Sequence, residues 1–435
     1  PRSLRAMLLA AGPERVALGV VFVVLTAIVM ALPTAPFSID NMLYIEMARA
    51  MAEQGSFSIA GQPGIVPADW LSISLTYGID GQVYPQYPGG YALLSAPFYD
   101  VAGVHGLAMM NVLAACAILV LTYRIALQLY ADRMIARIAV GLLAAASFLA
   151  VYAIGVWPHL VTLAFLLAAV DRAVAATRSE GRSRLLHLGL AGLCCGLALN
   201  LRVDVMFPAA ALLVWLRLFA MPSDRVAALA YLAGLAPGLA LASSINMIKF
   251  GERSPLTYGP TDGTDSLAGY PVLLMLAAAG ALALFVLDAS APWVARCVGA
   301  LRSRNGIIAI ALALLAAIAL APPARQYAFN FYVLVFDLQQ LDPSRWQTGV
   351  ERGSDGFIAF WGAYKKAFLQ SLPWAALMIA PVWAFMRGDQ AREHALALGV
   401  VAAPVVFYAL NQWHGGYSFS MRYFLPALPF VAILA

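Results

Sequence analysis

Apolar stretches of membrane-spanning length recur along almost the whole of this chain, and that recurrence constrains its fold more than any other feature. A bilayer core of roughly 30 Å needs about 20 apolar residues per helix. Such stretches lie near 16–32, 103–122, 136–154, 158–171, 187–200, 205–221, 226–247, 269–287, 306–321, 368–386 and 394–410, and another starts at Phe424. The chain is 62% apolar and 11% charged, against about 25% charged residues in a soluble domain. The expected fold is an all-α polytopic membrane protein of about twelve transmembrane helices, with residues 1–435 as one transmembrane domain.

Orientation follows from the placement of Lys and Arg. With Arg2, Arg5 and Arg15 on the cytoplasmic side, most basic residues fall in short loops on that side. The opposite, outer face receives two long loops, 33–90 and 322–367, and most of the carboxylates. The net charge of +5 then reflects orientation in a bilayer, and no nucleic-acid partner is expected. Cys116, Cys194, Cys195 and Cys297 fall in spans or on the cytoplasmic side, so the outer loops have no disulfide available, and no Cys/His spacing indicates a metal site. Residues 16–32 are long enough to remain as a helix and lack the small-residue cleavage site of a leader.

Chemistry-bearing residues concentrate in the outer loops. In FSIDNMLYIEMARAMAEQGSF (37–57), Pro33 and Pro36 end the first span, Ser38 or Asp40 can N-cap a helix, and Gly55 stops it after Gln54. Met42, Leu43, Met47 and Met51 give that helix an apolar side, while Asn41, Glu46, Arg49 and Glu53 are polar. It reads as a juxtamembrane amphipathic helix lying in the interface. In LSISLTYGIDGQVYPQY (71–87), Leu71, Ile73, Leu75 and Tyr77 alternate with polar residues before Asp80-Gly81, which predicts a hairpin. GGYALLSAPFYD (89–100) predicts a second juxtamembrane helix leading into the next span.

Further along, GVWPHL (155–160) places His159 at an outer helix end, and NLRVD (200–204) with NMIKFGERSPLTYG (246–259) brings Arg202, Asp204, Lys249 and Arg253 to the same face. NQWHGGYSFSMRYFLPALPF (411–430) adds Trp413, His414 and Arg422. One exposed carboxylate among several cations at headgroup depth suits sugar transfer from a lipid phosphate. An acceptor hydroxyl gains from a carboxylate that takes its proton, and the departing phosphate gains from Arg or Lys.

At these residues the chain resembles the C-type membrane glycosyltransferases, the GT-C superfamily, in particular the bacterial dolichyl-phosphate-mannose-type mannosyltransferase and aminoarabinose transferase branch. FSIDNMLYIEMARAM is similar to the first-loop motif of that family, an Asp followed by a Tyr and then an Ala, and DGQVYPQYPGGYALLSAPFY (80–99) to its YPPG-type stretch. GVWPHLVTLAFLLA, GLALNLRVDVMFP, NMIKFGERSPLTYG and GGYSFSMRYFLPALPF resemble further segments, in family order. The resemblance implies an inverting transferase that uses a polyprenyl-phosphate-linked sugar, with Asp40 as base and Arg202, Lys249 and Arg422 as ligands of the donor phosphate. Asn41 stands where many relatives carry a second carboxylate, which leaves Asp69 or Glu46 as acidic helpers. Tyr44, His159, Trp413 and His414 are candidate substrate contacts. No cofactor is required; a divalent metal is compatible with this chemistry but not indicated. The acceptor is a glycan, a lipid or a protein hydroxyl, and the location implied is a bacterial inner membrane with the site facing the periplasm or exterior.

Bland readings compete at several positions. Asp40 as a plain helix cap would contribute about 1 kcal/mol, Arg202 and Asp204 can form a structural ion pair, and Lys365-Lys366 reads as a headgroup contact. A polytopic secondary transporter is the rival from another class, but it would place ionisable residues at span centres. An O-antigen ligase or polymerase would place its main loop late in the chain, as 322–367 does, and would not need Asp40.

Overall fold

The computed structural model describes residues 12–32, 38–59, 75–222, 224–256, 303–341, 350–352, 358–360, 363–410 and 421–435, with isolated positions between them. The chain is a multi-pass helical membrane protein. Among the described residues six helices are long and apolar enough to cross a bilayer: Pro13–Ala31, Gly90–Tyr130, His159–Ala176, Val203–Ala220, Arg225–Phe250 and Ala391–Tyr408. Among the described residues the expected apolar stretches do not all form single spanning helices, and several differences have local causes. The stretch 269–287 lies outside the described residues.

The stretch 136–154 is two helices, Arg133–Ala145 and Leu149–Ala153. Between them the Ser147 hydroxyl donates to Leu143 O at 2.6 Å and accepts from Leu149 N at 3.1 Å, a side-chain alternative to the backbone ladder. The stretch 368–386 is a succession of short pieces, Phe368–Ser371, Pro373–Met378 and Ile379–Arg387, because Pro373 brings no N–H to continue the first of them. Arg304–Leu320 runs into Pro322–Val335, a helix that begins with two prolines, and the pair is bent by 106°.

Four helices build the body in sequence order. Gly90–Tyr130 packs on His159–Ala176, that helix on Gly181–Leu199, and the last on Arg225–Phe250. The final pair approaches through glycines: a Cβ on Gly192 would lie 1.9 Å from Tyr231 O, and one on Gly234 would lie 2.0 Å from Gly189 O. Within a bilayer, where helices gain little from burying apolar surface, small residues that admit close backbone approach supply the packing. Roughly 18 Å along its helix from His159, the buried Asp171 accepts from Arg124 Nε at 3.1 Å and Nη2 at 3.2 Å, from Gln128 Nε2 at 2.8 Å, and from Arg172. Every lone-pair direction of that carboxylate is used, which is what a buried charge requires.

At the other end lie the elements that position the candidate site. The juxtamembrane helix spans Ile39–Gln54; Gly55 closes it in the left-handed conformation at φ 64°, as the sequence predicts. The hairpin forms from Leu75–Tyr77 and Val83–Pro85, with Thr76 opposite Tyr84 and Gly81 turning at φ 75°. The helix Gly90–Tyr130 is broken at Ala102 and Gly103, which separates its first part from the apolar remainder.

Candidate active site

Ser38, not Asp40, caps the juxtamembrane helix: its hydroxyl accepts from Asn41 N at 3.3 Å. Asp40 sits within the first turn with its carboxylate free of capping. Arg422 Nη1 donates to Asp40 Oδ2 at 2.7 Å, and the Tyr87 hydroxyl donates to Oδ1. The Asp40 side chain remains 21% exposed, so one edge is open to a substrate. Burial pushes this carboxyl up, but the charge of Arg422, the Tyr87 hydroxyl and the more distant Arg202 together hold it below the ordinary carboxylate value.

Asn41 is committed to the backbone of a distant turn. Its Nδ2 donates to Val156 O at 2.6 Å, and Asn111 Nδ2 donates to Gly155 O at 2.6 Å. Two side-chain amides thus fix the turn that carries Trp157 and His159. A carboxylate at position 41 would offer an acceptor to a carbonyl that needs a donor.

Arg202 and Arg422 flank the same aromatic wall. Arg202 forks onto Asp204 with Nε at 2.9 Å and Nη2 at 2.8 Å, and its Nη1 donates to His159 Nε2 at 2.7 Å. The expected ion pair therefore exists, and it coexists with the histidine contact. Tyr408 donates to Asp204 Oδ2 at 2.7 Å and stacks on Tyr423, ring centroids 4.5 Å apart. Both guanidiniums lie 5.3 Å from the Tyr423 ring, and Arg422 lies 5.2 Å from the Trp157 ring, within cation–π range.

Three sequence-predicted residues sit elsewhere. Lys249 is buried, and its ammonium donates to Pro85 O and Tyr87 O, each at 2.8 Å. No described contact joins it to Arg202 or Arg422. It holds the strand end from which Tyr87 reaches Asp40. Glu46 is paired with Arg49, about 120° around the helix from Asp40. Tyr44 lies one turn beyond Asp40 and is buried, its ring 4.8 Å from Tyr87 and 4.9 Å from Tyr91, so it backs Tyr87. Asp69, Trp413 and His414 lie outside the described residues.

Two contributors were missed in the sequence. Tyr87 lies in the quoted 80–99 stretch, but nothing local says that its hydroxyl turns toward position 40. Lys365 is buried while Lys366 is exposed, and burial is at odds with a headgroup contact for Lys365. Burial, with the charge of Arg422 nearby, pushes the Lys365 ammonium well below its ordinary value. Among the described residues no cluster of three or more His, Cys, Asp and Glu side chains has the arrangement to hold a metal ion.

Solved structures share this architecture. The archaeal oligosaccharyltransferase AglB from Archaeoglobus fulgidus, in complex with an inhibitory peptide and a dolichol-phosphate, superposes with a TM-score of 0.54 at 15% identity, over 97% of this chain and 50% of that one. The likeness extends over nearly the whole of this chain and is one of fold. The apo form of the same enzyme gives 0.53 at 16% identity, over 96% of this chain and 50% of that one. The form tethered to an acceptor peptide with the NVT sequon gives 0.52 at 14%, over 96% and 49%. This chain therefore spans about half the length of those structures. No protein-family model and no curated protein matches the sequence.

Proposed function

We propose that this chain is an inverting glycosyltransferase that moves a sugar from a polyprenyl-phosphate-linked donor to an acceptor hydroxyl at the outer face of the membrane. The observation that carries the reading is the Asp40–Arg422 pair, a partly open ionised carboxylate and a guanidinium 2.7 Å apart, at the juxtamembrane face of a GT-C fold. The AglB structures, one of which holds a dolichol-phosphate, support a lipid-phosphate donor. The first-loop motif around Asp40 supports the dolichyl-phosphate-mannose-type branch as the narrower reading.

In this reaction Asp40 takes the proton of the acceptor hydroxyl as that oxygen attacks the anomeric carbon, and the bond from that carbon to the phosphate oxygen breaks. Arg422 then has a second use. While Asp40 is ionised it neutralises Arg422; once Asp40 is protonated, the guanidinium faces the leaving phosphate uncompensated, at the moment that phosphate gains charge. Arg202, held by Asp204 and Tyr408, presents a second fixed cation. Lys249 leaves the phosphate set and becomes a support for Tyr87. The cytoplasmic N-terminus, a bacterial inner membrane and a periplasm-facing site remain parts of the proposal.

The test is release of free polyprenyl phosphate from a panel of polyprenyl-phosphate sugars by purified protein in lipid nanodiscs, with candidate acceptors. Release with one sugar identifies the donor. The absence of both release and donor binding across the whole panel would contradict the proposal.

A further inference from the structure

His159 has one nitrogen committed and one without a partner. An arginine only donates, so the 2.7 Å contact from Arg202 Nη1 makes His159 Nε2 an acceptor. The imidazole is then neutral and carries its proton on Nδ1. That Nδ1–H is buried and has no hydrogen-bond partner among the described residues. Arg422 Nε, also buried, likewise has none. Native proteins pair buried donors, and leaving one unpaired costs about 1–3 kcal/mol, so two such donors around one aromatic ring point to a ligand.

The two border one ring. The Trp157 and His159 ring centroids are 5.4 Å apart, and the Arg422 guanidinium lies 5.2 Å from Trp157. Both orphans are donors, which selects a ligand group that accepts without needing to donate. A phosphate oxygen meets that condition and a sugar hydroxyl meets it only in part. His159 is also the first residue of its helix, which begins at Pro158 without a side-chain cap, and a helix N-terminus favours an anion.

We propose that His159, as a neutral Nδ1–H donor, together with Arg422 Nε–H, hydrogen-bonds the phosphate of the polyprenyl-phosphate donor. This rests on the transferase reading above and adds to it a role: His159 holds the leaving phosphate by a hydrogen bond and does not protonate it. The lipid phosphate departs unprotonated by this residue, with its charge met by the two arginines.

Two amide substitutions separate the ring nitrogens. In His159→Asn the side-chain amide N can occupy the Nδ1 position, whereas in His159→Gln the amide O can occupy the Nε2 position and still accept from Arg202. Polyprenyl phosphate binding to the purified full chain in nanodiscs is the readout, with a thermal melt of each variant. The expected result is an affinity loss of about ten-fold or more in His159→Gln and a value close to wild type in His159→Asn. The reverse order would make His159 a structural acceptor for Arg202 and overturn the proposal, as would wild-type affinity in both. If either variant fails to fold, 15N NMR of histidine-labelled wild type decides: a protonated Nδ1 with a bare Nε2 at His159 upholds the proposal, and any other state overturns it. Failure of wild type itself to bind polyprenyl phosphate refutes the donor reading, a result distinct from equal binding by all variants.

Discussion

Arg422 donates to Asp40 at 2.7 Å across 382 residues of chain. The last described helix thus reaches back to the first loop and closes the site. Removing Arg422 leaves Asp40 partly buried without its counter-charge, and breaking such a pair is far more damaging than replacing both partners together.

The carboxyl of Asp40 is held below its ordinary value, so it is ionised at neutral pH. Its contribution to activity and to stability is full there and is lost only as the pH falls through the depressed value. Tyr87→Phe removes one of the influences opposing burial, so the carboxyl rises. The acid limb of the pH–rate profile is expected to move toward neutrality, with a modest loss of rate at neutral pH. A profile unchanged from wild type would separate Tyr87 from Asp40.

Lys249→Met is expected to lower both stability and turnover. The Pro85 and Tyr87 carbonyls would lose a buried donor, at about 1–3 kcal/mol each, and the segment carrying Tyr87 would loosen. Because Lys249 does not touch the proposed phosphate site, polyprenyl phosphate affinity should change little. A binding titration that shows a large affinity loss, with the melt unchanged, would return Lys249 to that site.

How much of this was legible follows the range of the interactions. The start of the helix at residues 38–40, its stop at Gly55 and the Asp80-Gly81 turn are decided within a few residues, and the sequence predicts them. Ser38 and Asp40 are both good caps, and the local sequence does not choose between them. The partners of Asp40 come from 47 and 382 residues away, and no local pattern encodes them. The loop position of Lys249 groups it with Arg202 in the sequence, but a loop position does not reveal burial against two carbonyls. The apolar runs reported transfer free energy without path, which is why the breaks at Ser147 and Pro373 interrupt stretches that composition reads as continuous.

Asn41→Asp is expected to impair this chain. The Val156 carbonyl loses its donor, and a second negative charge beside Asp40 raises its carboxyl. A melt lowered by several degrees and an acid limb moved toward neutrality would be observed. Unchanged values for both would show that the Val156 contact has no consequence.

Gly192→Ala is expected to disrupt the packed helix pair, since a Cβ there would lie 1.9 Å from Tyr231 O and only movement of backbone could admit it. Gly141, where a Cβ meets nothing within 4 Å, is the control; Gly141→Ala should leave size-exclusion behaviour and melting unchanged. Equal behaviour of the two variants would contradict the glycine packing.

The most direct test of the central claim is a single-turnover comparison of wild type with Asp40→Asn, using the donor that wild type accepts and measuring free polyprenyl phosphate released alongside donor bound. Asparagine keeps the shape of the side chain but cannot serve as the base. Bound donor with release abolished is the predicted result; release by Asp40→Asn within a few-fold of wild type would contradict the assignment of Asp40 as the base.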